Sequence, residues 1–356
     1  MISYTDRIAV LDGTQVQTTF LDVGHGGGVV LEIDGRNPTI VDCAVVRPLT
    51  DFLRGRGYEN DEGNLLIERL IVTHFDNDHF AGVTQLMDLA WVEIGSIHFN
   101  PNMAQASEDP DHLSSDAVSD FWEKVIKRSD LCGGASRICF VTSDLDLDLH
   151  NGDVRLEILW PPDVLTMAPA ATLETLRIPS SRNALSVVCA LLLGGKPEVL
   201  LTGDVEKGSI EKLISTQSHR LAAPILQVPH HAGKVDKIEK FSREAHGALA
   251  SVVQPTIAIA QTGRNRYDNP RLSTIAGLLE AEGPVPYIAC SQLNTKCGDA
   301  DEGNKHCAGT VSVLHGMGVV HFGRSEHHEF VAEACKGKAR CKLSLPEIEE
   351  LLAEDR

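Results

Sequence analysis

The chain has 356 residues, is 42% hydrophobic and 23% charged, and carries a formal net charge of −18 at pH 7. This length allows one to three domains with a large buried core, and the composition excludes a disordered chain. The acidic charge repels phosphate backbones and so excludes a general nucleic-acid-binding protein, but it does not exclude a nucleic-acid substrate held by metal ions in a local cleft.

The sequence also bears on where the protein is found. Its N-terminus lacks a basic segment followed by an apolar core, and no apolar run is long enough to span a bilayer. The nine cysteines are scattered and odd in number, which favours a reducing compartment. We therefore predict a cytoplasmic protein without a membrane partner, and the sequence does not indicate its oligomeric state.

The N-terminal part predicts an opening β-meander. Strands are expected over 15–20, 29–33 and 39–41, followed by a helix over 49–56. The glycine-rich loop 24–28 lacks the Lys-Ser/Thr pair of a P-loop. We interpret this loop as a tight turn that borders an active site, and a purely structural bend is the alternative.

Residues 70–90 contain the most informative motif. An apolar strand ending at residue 72 is followed by an apolar-periodic helix over 80–90, and four potential metal ligands lie between them: His74, Asp76, Asp78 and His79. Imidazole and carboxylate groups suit a divalent transition metal, and two adjacent sites of this kind form a two-metal hydrolytic centre. Helix N-capping is the alternative for such residues, but their number and the strand–turn–helix context favour metal binding.

Beyond this motif, strands and helices alternate. Strands are predicted over 94–99, 138–142, 154–160, 186–193, 198–202, 224–228, 256–260, 285–289, 310–314 and 319–322. Helices are predicted over 115–127, 205–216, 271–281 and 346–354. We interpret the polar segment 100–135 as an insertion or lid over the cleft, and the loop 161–179 as bordering a pocket.

Further candidate ligands follow two of the later strands. Asp204 comes after the strand 198–202, and His230 and His231 come after the strand 224–228. Ligands of open α/β sheets gather outside the carboxyl ends of strands. We therefore expect these residues to converge with residues 74–79 on one cleft.

This pattern resembles the metallo-β-lactamase fold, and within it the hydrolase domain of ComEC/Rec2-type competence proteins and their stand-alone relatives. The matching pieces span about residues 15–325 and occur in that family's order: Phe-Leu-Asp-Val-Gly at 20–24, Thr-His-x-Asp-x-Asp-His-x-x-Gly at 73–82, Asn-x-x-Ser at 183–186, Leu-Leu-Thr-Gly-Asp at 200–204 and Val-Pro-His-His at 228–231.

The resemblance implies an α/β (α+β) protein, an αββα sandwich in which two mixed β-sheets are flanked by helices. Residues 1–325 would form the hydrolase domain, and 326–356 a cysteine-containing tail with a helix. His74 and Asp76 would hold one ion and Asp78 and His79 the other, with Asp204 bridging them and His230 completing the shell.

The resemblance also assigns roles to further residues. His231 would be a ligand or lie near the leaving oxygen, and Asp76, Asp78 and His231 are the predicted catalytic residues. Residues expected to bind substrate or to support the ligands are Asp22, His25, Asp42, Asn183 and Lys234. Asn183 would alternatively replace a histidine that other branches use.

Two departures from the family bear on activity. The family reads Asp-Val-Gly-Gln-Gly-Asp where residues 22–27 read Asp-Val-Gly-His-Gly-Gly, so the final acid is replaced by Gly27 and His25 is new. Ala232 and Gly233 also replace a Gly-Ser pair. Either change could alter substrate choice or weaken catalysis, and His25 could instead be an exposed turn residue.

The resulting hypothesis is a binuclear metal-dependent hydrolase, a phosphodiesterase or nuclease that uses a hydroxide bridging two divalent ions, Zn²⁺ or Mn²⁺. Asp76, in place of a histidine, shifts the preference towards Mn²⁺. The expected partner is a phosphoester substrate, with single-stranded nucleic acid as one candidate. The alternatives are a hydrolase of small phosphoesters or lactone-type esters, and a catalytically weak metal-binding regulatory module.

The C-terminal cysteines allow a second, structural metal site. Cys297, Cys307, Cys335 and Cys341 are candidate zinc ligands, but their spacing lacks a CxxC pair, and free thiols are the alternative.

Overall fold

The computed structural model describes residues 14–100, 115–131, 137–143, 145–166, 183–263, 267–283, 285, 287–292, 309–315, 319–322, 329–330 and 345–354. Within these residues the strands are β1 (Val16–Phe20), β2 (Val29–Ile33), β3 (Thr39–Val41), β4 (Leu65–Val72), β5 (Val92–Phe99), β6 (Arg137–Phe140), β7 (Asp146–His150), β8 (Val154–Trp160), β9 (Val188–Leu193), β10 (Lys196–Leu201), β11 (Ile225–Gln227), β12 (Ile257–Ala260), β13 (Tyr287–Cys290), β14 (Val311–Leu314), β15 (Val319–Phe322) and β16 (Glu329–Phe330).

The α-helices of the same residues are α1 (Val46–Gly55), α2 (Asn77–Asp88), α3 (Ser115–Leu131), α4 (Asp163–Thr166), α5 (Lys207–Leu221), α6 (Glu239–Val253), α7 (Leu272–Glu280) and α8 (Leu345–Glu354). Two short 3-10 turns, Asn183–Leu185 and Pro229–Ala232, border the site described below. None of the helices in the described ranges combines the length and the hydropathy that crossing a bilayer requires.

The strands form two mixed sheets. The first has nine strands in the order β16-β15-β14-β1-β2-β3-β4-β5-β6, and the second has seven in the order β13-β12-β11-β10-β9-β8-β7. In each sheet, antiparallel strands joined mostly by short turns adjoin a parallel part, β3 to β6 in the first sheet and β10 to β13 in the second. Parallel neighbours need a crossover, and helices such as α2 and α5 supply it.

The two sheets are covered on both faces. Every residue of β2 and of β9 is buried, as expected for strands that have a second sheet on one side and helices on the other. One continuous core joins side chains of both sheets with helix residues, including Leu31, Leu191, Val83 and Leu213. The predicted fold class, two mixed sheets flanked by helices, is confirmed.

One long helix was not predicted. The buried face of α6 consists of Ser242, Ala245, His246, Leu249, Ala250 and Val253. Small or polar residues occupy four of these six positions, so the apolar periodicity of the helix is weak in the sequence. The strand β7 was also missed. In its sequence, Asp-Leu-Asp-Leu-His, exposed acidic residues alternate with leucines, and the strand lies at the edge of the second sheet.

Several predicted segments lie partly or wholly outside the described residues. In the segment interpreted as an insertion or lid, α3 is present and buries Phe121 and Val125, whereas residues 101–114 and 132–136 lie outside. Most of the loop 161–179 lies outside as well, as do the four candidate zinc ligands Cys297, Cys307, Cys335 and Cys341.

The C-terminal helix α8 packs against α7. Ile348 is fully buried in a second apolar cluster that includes Leu272 and Ile275 of α7, and Arg243 of α6 pairs with both Glu280 and Glu349. The division of the chain at residue 325 remains a prediction.

Candidate metal centre

Four strands of the two sheets end at one place. Asp42 follows β3, and His74 lies two residues beyond β4, both in the first sheet. Asp204 lies three residues beyond β10, and His231 lies four residues beyond β11, in the second sheet. The ligand atoms of His74, Asp78, His79 and Asp204 all lie within 4.8 Å of one another. The expected convergence of distant segments is therefore present in the structure.

Asp204 lies between two histidines of the first sheet. Its Oδ1 atom is 3.0 Å from His79 Nε2, and its Oδ2 atom is 3.7 Å from His74 Nε2. Asp76 Oδ2 lies 3.8 Å from the same His74 nitrogen. The two oxygens of Asp204 thus face two different groups of donors, as bridging of two ions by one carboxylate requires.

His231 lies deeper in the cluster than His230. Its Nε2 atom is 2.8 Å from His79 Nε2 and 3.5 Å from both Asp78 Oδ2 and Asp204 Oδ1. His230 Nε2 is 3.8 Å from Asp204 Oδ2, and its side chain is 31% exposed. The geometry therefore places His231 with Asp78 and His79, and His230 at the opening of the cleft.

A left-handed turn aims these two histidines. His230, His231 and Ala232 have φ values of 53°, 53° and 56°, a conformation that costs non-glycine residues on the order of 1 kcal/mol or more each. Hydrogen bonds hold the turn, since the His230 N–H donates to the Gly203 carbonyl and the Arg271 N–H donates to the Ala232 carbonyl. Such strain persists at functional sites when the surrounding structure fixes it.

Asp42 fixes the orientation of His79. Its Oδ2 atom lies 2.7 Å from His79 Nδ1. Its Oδ1 atom accepts a hydrogen bond from the Thr73 amide and its Oδ2 atom accepts one from the Thr73 hydroxyl, each at 2.7 Å. With Nδ1 engaged by a carboxylate, Nε2 points into the cluster, which is how histidine ligands are oriented in metal sites. Asp42 was predicted as a supporting or substrate-binding residue, and it lies in contact with a candidate ligand.

Ser186 supports the cluster from the second sheet. Its hydroxyl accepts a hydrogen bond from the Asp204 N–H at 3.0 Å and lies 3.3 Å from His74 Nδ1. The carbonyl of Gln261 similarly engages His231 Nδ1 at 2.9 Å. No role was predicted from the sequence for Ser186 or Gln261. The Asn-x-x-Ser motif was the available signal for Ser186, whereas a backbone carbonyl leaves none.

Burial and mutual charge set the protonation of the cluster. Burial lowers the pKa of His74, with a further contribution from His79, and lowers the pKa of His231 to about 4. Burial also opposes ionisation of Asp204, but the surrounding histidines outweigh it and hold the pKa of that carboxyl well below its usual range. Neutral imidazoles and ionised carboxylates are the forms that bind metal ions.

The charges of His79 and Asp78 are coupled to their neighbours. Burial opposes protonation of His79, but Asp204 and Asp42 outweigh it and raise its pKa well above the ordinary value. Burial likewise opposes ionisation of Asp78, and His25, His231 and His79 together hold its pKa below the usual range. The carboxylates therefore favour a positive charge at His79, and a bound cation would supply that charge in place of a proton.

The donor set fits a divalent metal. His74 Nε2 and Asn183 Oδ1 are buried and have no hydrogen-bond partner within the described ranges, a costly arrangement for polar atoms that nothing else satisfies. Donor atoms of one tetrahedral zinc ion lie about 3.3 Å apart, given bonds of about 2.0–2.1 Å. The separations of 3.0–3.8 Å around Asp204 match this distance.

The remaining predicted site residues lie around this cluster or away from it. Asn183 begins a 3-10 turn and is 9% exposed. Asp22 accepts hydrogen bonds from the Gly24 N–H and from Gln292, and so stabilises the glycine-rich loop. Lys234 forms an ion pair with Glu239. Neither Asp22 nor Lys234 belongs to the two candidate metal-binding groups of the described residues.

His25 is buried, and the alternative of an exposed turn residue is wrong. Its side chain is 4% exposed, and its Nε2 atom lies 3.2 Å from Asp78 Oδ2. Its ring stacks at a tilt between those of His231 and Tyr267, with centroid distances of 4.6 and 4.9 Å. The loop that carries it therefore borders the candidate site, as the glycine cluster indicated.

Comparison with known proteins supports the interpretation of these motifs. No protein-family model matches the chain. Recombination protein 2 of Haemophilus influenzae is 27% identical over 236 residues, which is 66% of this chain and 22% of that protein. The chain resembles the metallo-β-lactamase-fold hydrolases of the ComEC/Rec2 type. It spans about a fifth of the length of the relative in which this resemblance is found.

Solved structures similar to this ComEC/Rec2-like chain include one described as a metallo hydrolase. Igni18, a metallo hydrolase from Ignicoccus hospitalis, is 12% identical with a TM-score of 0.38, covering 72% of this chain and 85% of that one. Yeast PDE1 is 11% identical with a TM-score of 0.42, covering 74% of this chain and 93% of that one.

Proposed function

We propose that the protein is a hydrolase of phosphodiester bonds that depends on two divalent metal ions. The observation that carries this proposal is the convergence of imidazole and carboxylate groups from four strand ends, with the two oxygens of Asp204 facing separate donors. Carboxylates in that position are suited to span two ions about 3.5–4 Å apart. The likeness to Recombination protein 2 supports a phosphoester substrate.

We assign the donors to two sets. His74 and Asp76 would hold one ion with Asp204, and Asn183 would contribute its unpartnered oxygen to the same ion. The second ion would be held by Asp78, His79 and His231, again with Asp204. When bound, two such ions lower the pKa of a water molecule and neutralise charge that develops on a phosphoryl group.

The protein itself preorganises the site. Asp42, Ser186 and the Gln261 carbonyl each engage a histidine Nδ1 atom, so that the Nε2 atoms point into the cleft without reorganisation. Burial of His74 and Asp204 keeps bulk water away from the ligands and strengthens each charge interaction.

His230 is the group best placed to contact a substrate. It lies at the opening, and its position on a strained turn fixes the direction of its ring. We propose that His230 binds a phosphoryl oxygen or donates a proton to the leaving oxygen, and that Asp76, Asp78 and His231 serve catalysis as ligands. A His230→Gln variant should then retain both ions and lose turnover.

Gly27 has a steric explanation. A Cβ atom there would lie 2.7 Å from His79 Nδ1, which is closer than such atoms approach, and 3.1 Å from Asp42 Oδ2, which is a tight contact. An acid does not fit at this position in the present arrangement. The missing acid is therefore a consequence of close packing and not by itself a sign of a regulatory protein without activity.

Metal analysis followed by activity assays tests the proposal. Purified protein is expected to contain two equivalents of Zn²⁺ or Mn²⁺, and Asp78→Ala to lose at least one of them. Asp51→Asn, at a 61% exposed side chain of α1, is the matched control for removal of a carboxylate. A wild-type protein that binds no divalent metal would refute the proposed function.

Two substrates separate the candidate activities. Hydrolysis of single-stranded DNA with Mn²⁺ or Zn²⁺ would identify a nuclease, whereas hydrolysis of bis-p-nitrophenyl phosphate without DNA cleavage would identify an enzyme of small phosphoesters. Hydrolysis of neither by the metal-loaded protein would contradict a phosphodiesterase and favour a lactone-type ester substrate or a metal-binding regulatory module.

A further inference from the structure

The glycine-rich loop brings a third imidazole to the second metal position. The donor atoms of His25, Asp78 and His231 lie within 4.8 Å of one another. His25 Nε2 is 3.2 Å from Asp78 Oδ2, and Asp78 Oδ2 is in turn 3.5 Å from His231 Nε2. Both distances suit donors that share one cation.

We propose that His25 is a ligand of the second ion, joining Asp78, His79, His231 and the shared Asp204. This inference rests on the proposed function, since it requires that the site binds metal. It goes beyond the role of His25 expected from the sequence, which was to bind substrate or to support other ligands.

The loop backbone holds the His25 imidazole against Asp78. Gly26 has a φ of 142°, and a Cβ atom there would lie 2.4 Å from both the Asp78 carbonyl oxygen and Ala44 Cβ. The Gly27 N–H donates a hydrogen bond to the same Asp78 carbonyl at 2.8 Å. The loop is thereby fixed to the first turn of α2, which carries Asp78.

A second close approach constrains His25 from the opposite side. A Cβ atom on Gly263 would lie 2.4–2.8 Å from the backbone and Cβ atoms of His25, so glycine is needed for the two segments to meet. The ring of Tyr267 also lies against the imidazole, with a centroid distance of 4.9 Å. His25 has little room to turn away from the cluster, which lowers the entropic cost of metal binding.

The other ring nitrogen of His25 does not distinguish a metal ligand from a residue that only orients Asp78. His25 Nδ1 is buried and has no hydrogen-bond partner within the described ranges. A histidine that only oriented Asp78 would donate its Nε2 proton to that carboxylate, as the 3.2 Å distance also allows. The two roles differ in one respect, because only a ligand contributes a nitrogen to the metal.

A His25 ligand would make the two metal positions unequal. The second position would have three imidazoles and two carboxylates, whereas the first has His74, Asp76, Asp204 and Asn183. Nitrogen-rich sites favour Zn²⁺ and Co²⁺, and oxygen-rich sites favour Mn²⁺. We therefore expect that loss of the His25 imidazole weakens the binding of one ion and leaves the other nearly unchanged.

The test compares full-length metal-free wild type, His25→Gln and His219→Gln titrated with Co²⁺. Glutamine retains a hydrogen-bond donor but not the imidazole, and His219 is an exposed residue of α5 that controls for loss of a histidine. Binding is measured by calorimetry, and ligation by the hyperfine-shifted imidazole N–H resonances of the Co²⁺ protein. Circular dichroism and melting temperature verify that each variant is folded.

We expect wild type and His219→Gln to bind two Co²⁺ ions and to show the same set of shifted resonances. His25→Gln should lose one imidazole N–H resonance and bind one of the two ions about 10- to 100-fold more weakly. If His25→Gln keeps every shifted resonance, His25 is not a ligand, and the inference fails while the proposed function stands. If wild type binds no Co²⁺ or other divalent ion, the proposed function fails and the inference with it.

Discussion

Asp204 is a fully buried carboxylate whose two oxygens face different histidines. Asn at this position keeps the volume but removes the charge and replaces one oxygen by a hydrogen-bond donor. We expect Asp204→Asn to lose both ions, because each set of ligands shares this residue, and to reduce hydrolysis at least about 100-fold. Metal content by mass spectrometry and turnover of bis-p-nitrophenyl phosphate measure the two effects. Retention of two ions would contradict the bridging role.

The buried residue His315 contributes to the dependence of the protein's stability on pH. It is fully buried, its Nε2 lies 2.8 Å from the Thr18 hydroxyl, and burial lowers its pKa to about 4. The unfolded chain has a histidine pKa of about 6.5 and therefore binds a proton between pH 6.5 and pH 4 where the folded protein does not. The free energy of unfolding contributed by this group is thus lost as pH falls through that window.

Substitution of His315 should reduce this pH dependence. From pH 7 to pH 5 the wild type should lose roughly 2 kcal/mol through this histidine, and His315→Gln should not. We therefore expect the stability difference between wild type and variant to narrow by that amount, as measured by urea denaturation at the two pH values. A difference that stays constant with pH would show that His315 accepts a proton in the folded state.

Where the glycine-rich loop meets α2, two adjacent glycines of the loop differ sharply in the space that is available for a side chain. A Cβ atom at Gly27 would collide with His79, whereas one at Gly28 would meet Val23 at 3.4 Å, an ordinary contact. We expect Gly27→Ala to displace His79 and to weaken metal binding at least about tenfold, and Gly28→Ala to leave it nearly unchanged. Titration of both metal-free variants with Zn²⁺ measures the difference. Equal affinities in the two variants would show that the loop yields without affecting the ligand.

The elements that carry the candidate ligands were largely predictable from the sequence, whereas the directions in which individual side chains point were not. The candidate ligands His74, Asp78 and Asp204 were found because ligands of α/β sheets gather outside the carboxyl ends of strands. The order of depth of His230 and His231 depends on a left-handed turn that is rare for non-glycine residues. The burial of His25 depends on the approach of Gly263, which is 238 positions away in the sequence.

The same distinction explains the helix α6, which was missed. Its buried stripe includes serine, alanine and histidine, and these residues pack well only because neighbouring elements approach closely. At Gly247, for example, a Cβ atom would lie 3.1 Å from the Gly277 carbonyl oxygen of α7. Close packing of two helices through small residues leaves little hydrophobic periodicity for a sequence to display.

At the scale of the whole molecule, the helix α8 packs on the rest of the protein through the second apolar cluster. Ile348 of α8 is fully buried against α7, whereas Glu350 on the same helix is exposed. We expect Ile348→Ala to lower the free energy of unfolding by about 2–4 kcal/mol and Glu350→Ala to change it by less than about 0.5 kcal/mol. Urea denaturation measures both. Equal stability of the two variants would indicate that the tail is independent of the rest of the protein.

Metal binding should also stabilise the whole molecule. Asp42, Asp76, Asp78 and Asp204 gather around the cluster, and bound cations would balance negative charge that the histidines offset only in part. At an ion concentration of 100 times the dissociation constant, binding adds about 2.7 kcal/mol per site. We expect Zn²⁺ or Mn²⁺ to raise the melting temperature of the chelator-treated wild type and not that of Asp204→Asn. An unchanged melting temperature in the wild type would mean that the ions do not prefer the folded state.

The candidate ligands come from segments that follow strands of both sheets, and this has a consequence during synthesis. The segment containing His74, Asp76, Asp78 and His79 emerges from the ribosome well before Asp204 and His231, which the second sheet supplies. A nascent chain that ends before residue 200 lacks His231 and the carboxylate of Asp204, which is common to both donor sets. Capture of the cations, and any hydrolysis they support, must therefore wait until both halves of the sandwich have closed on each other.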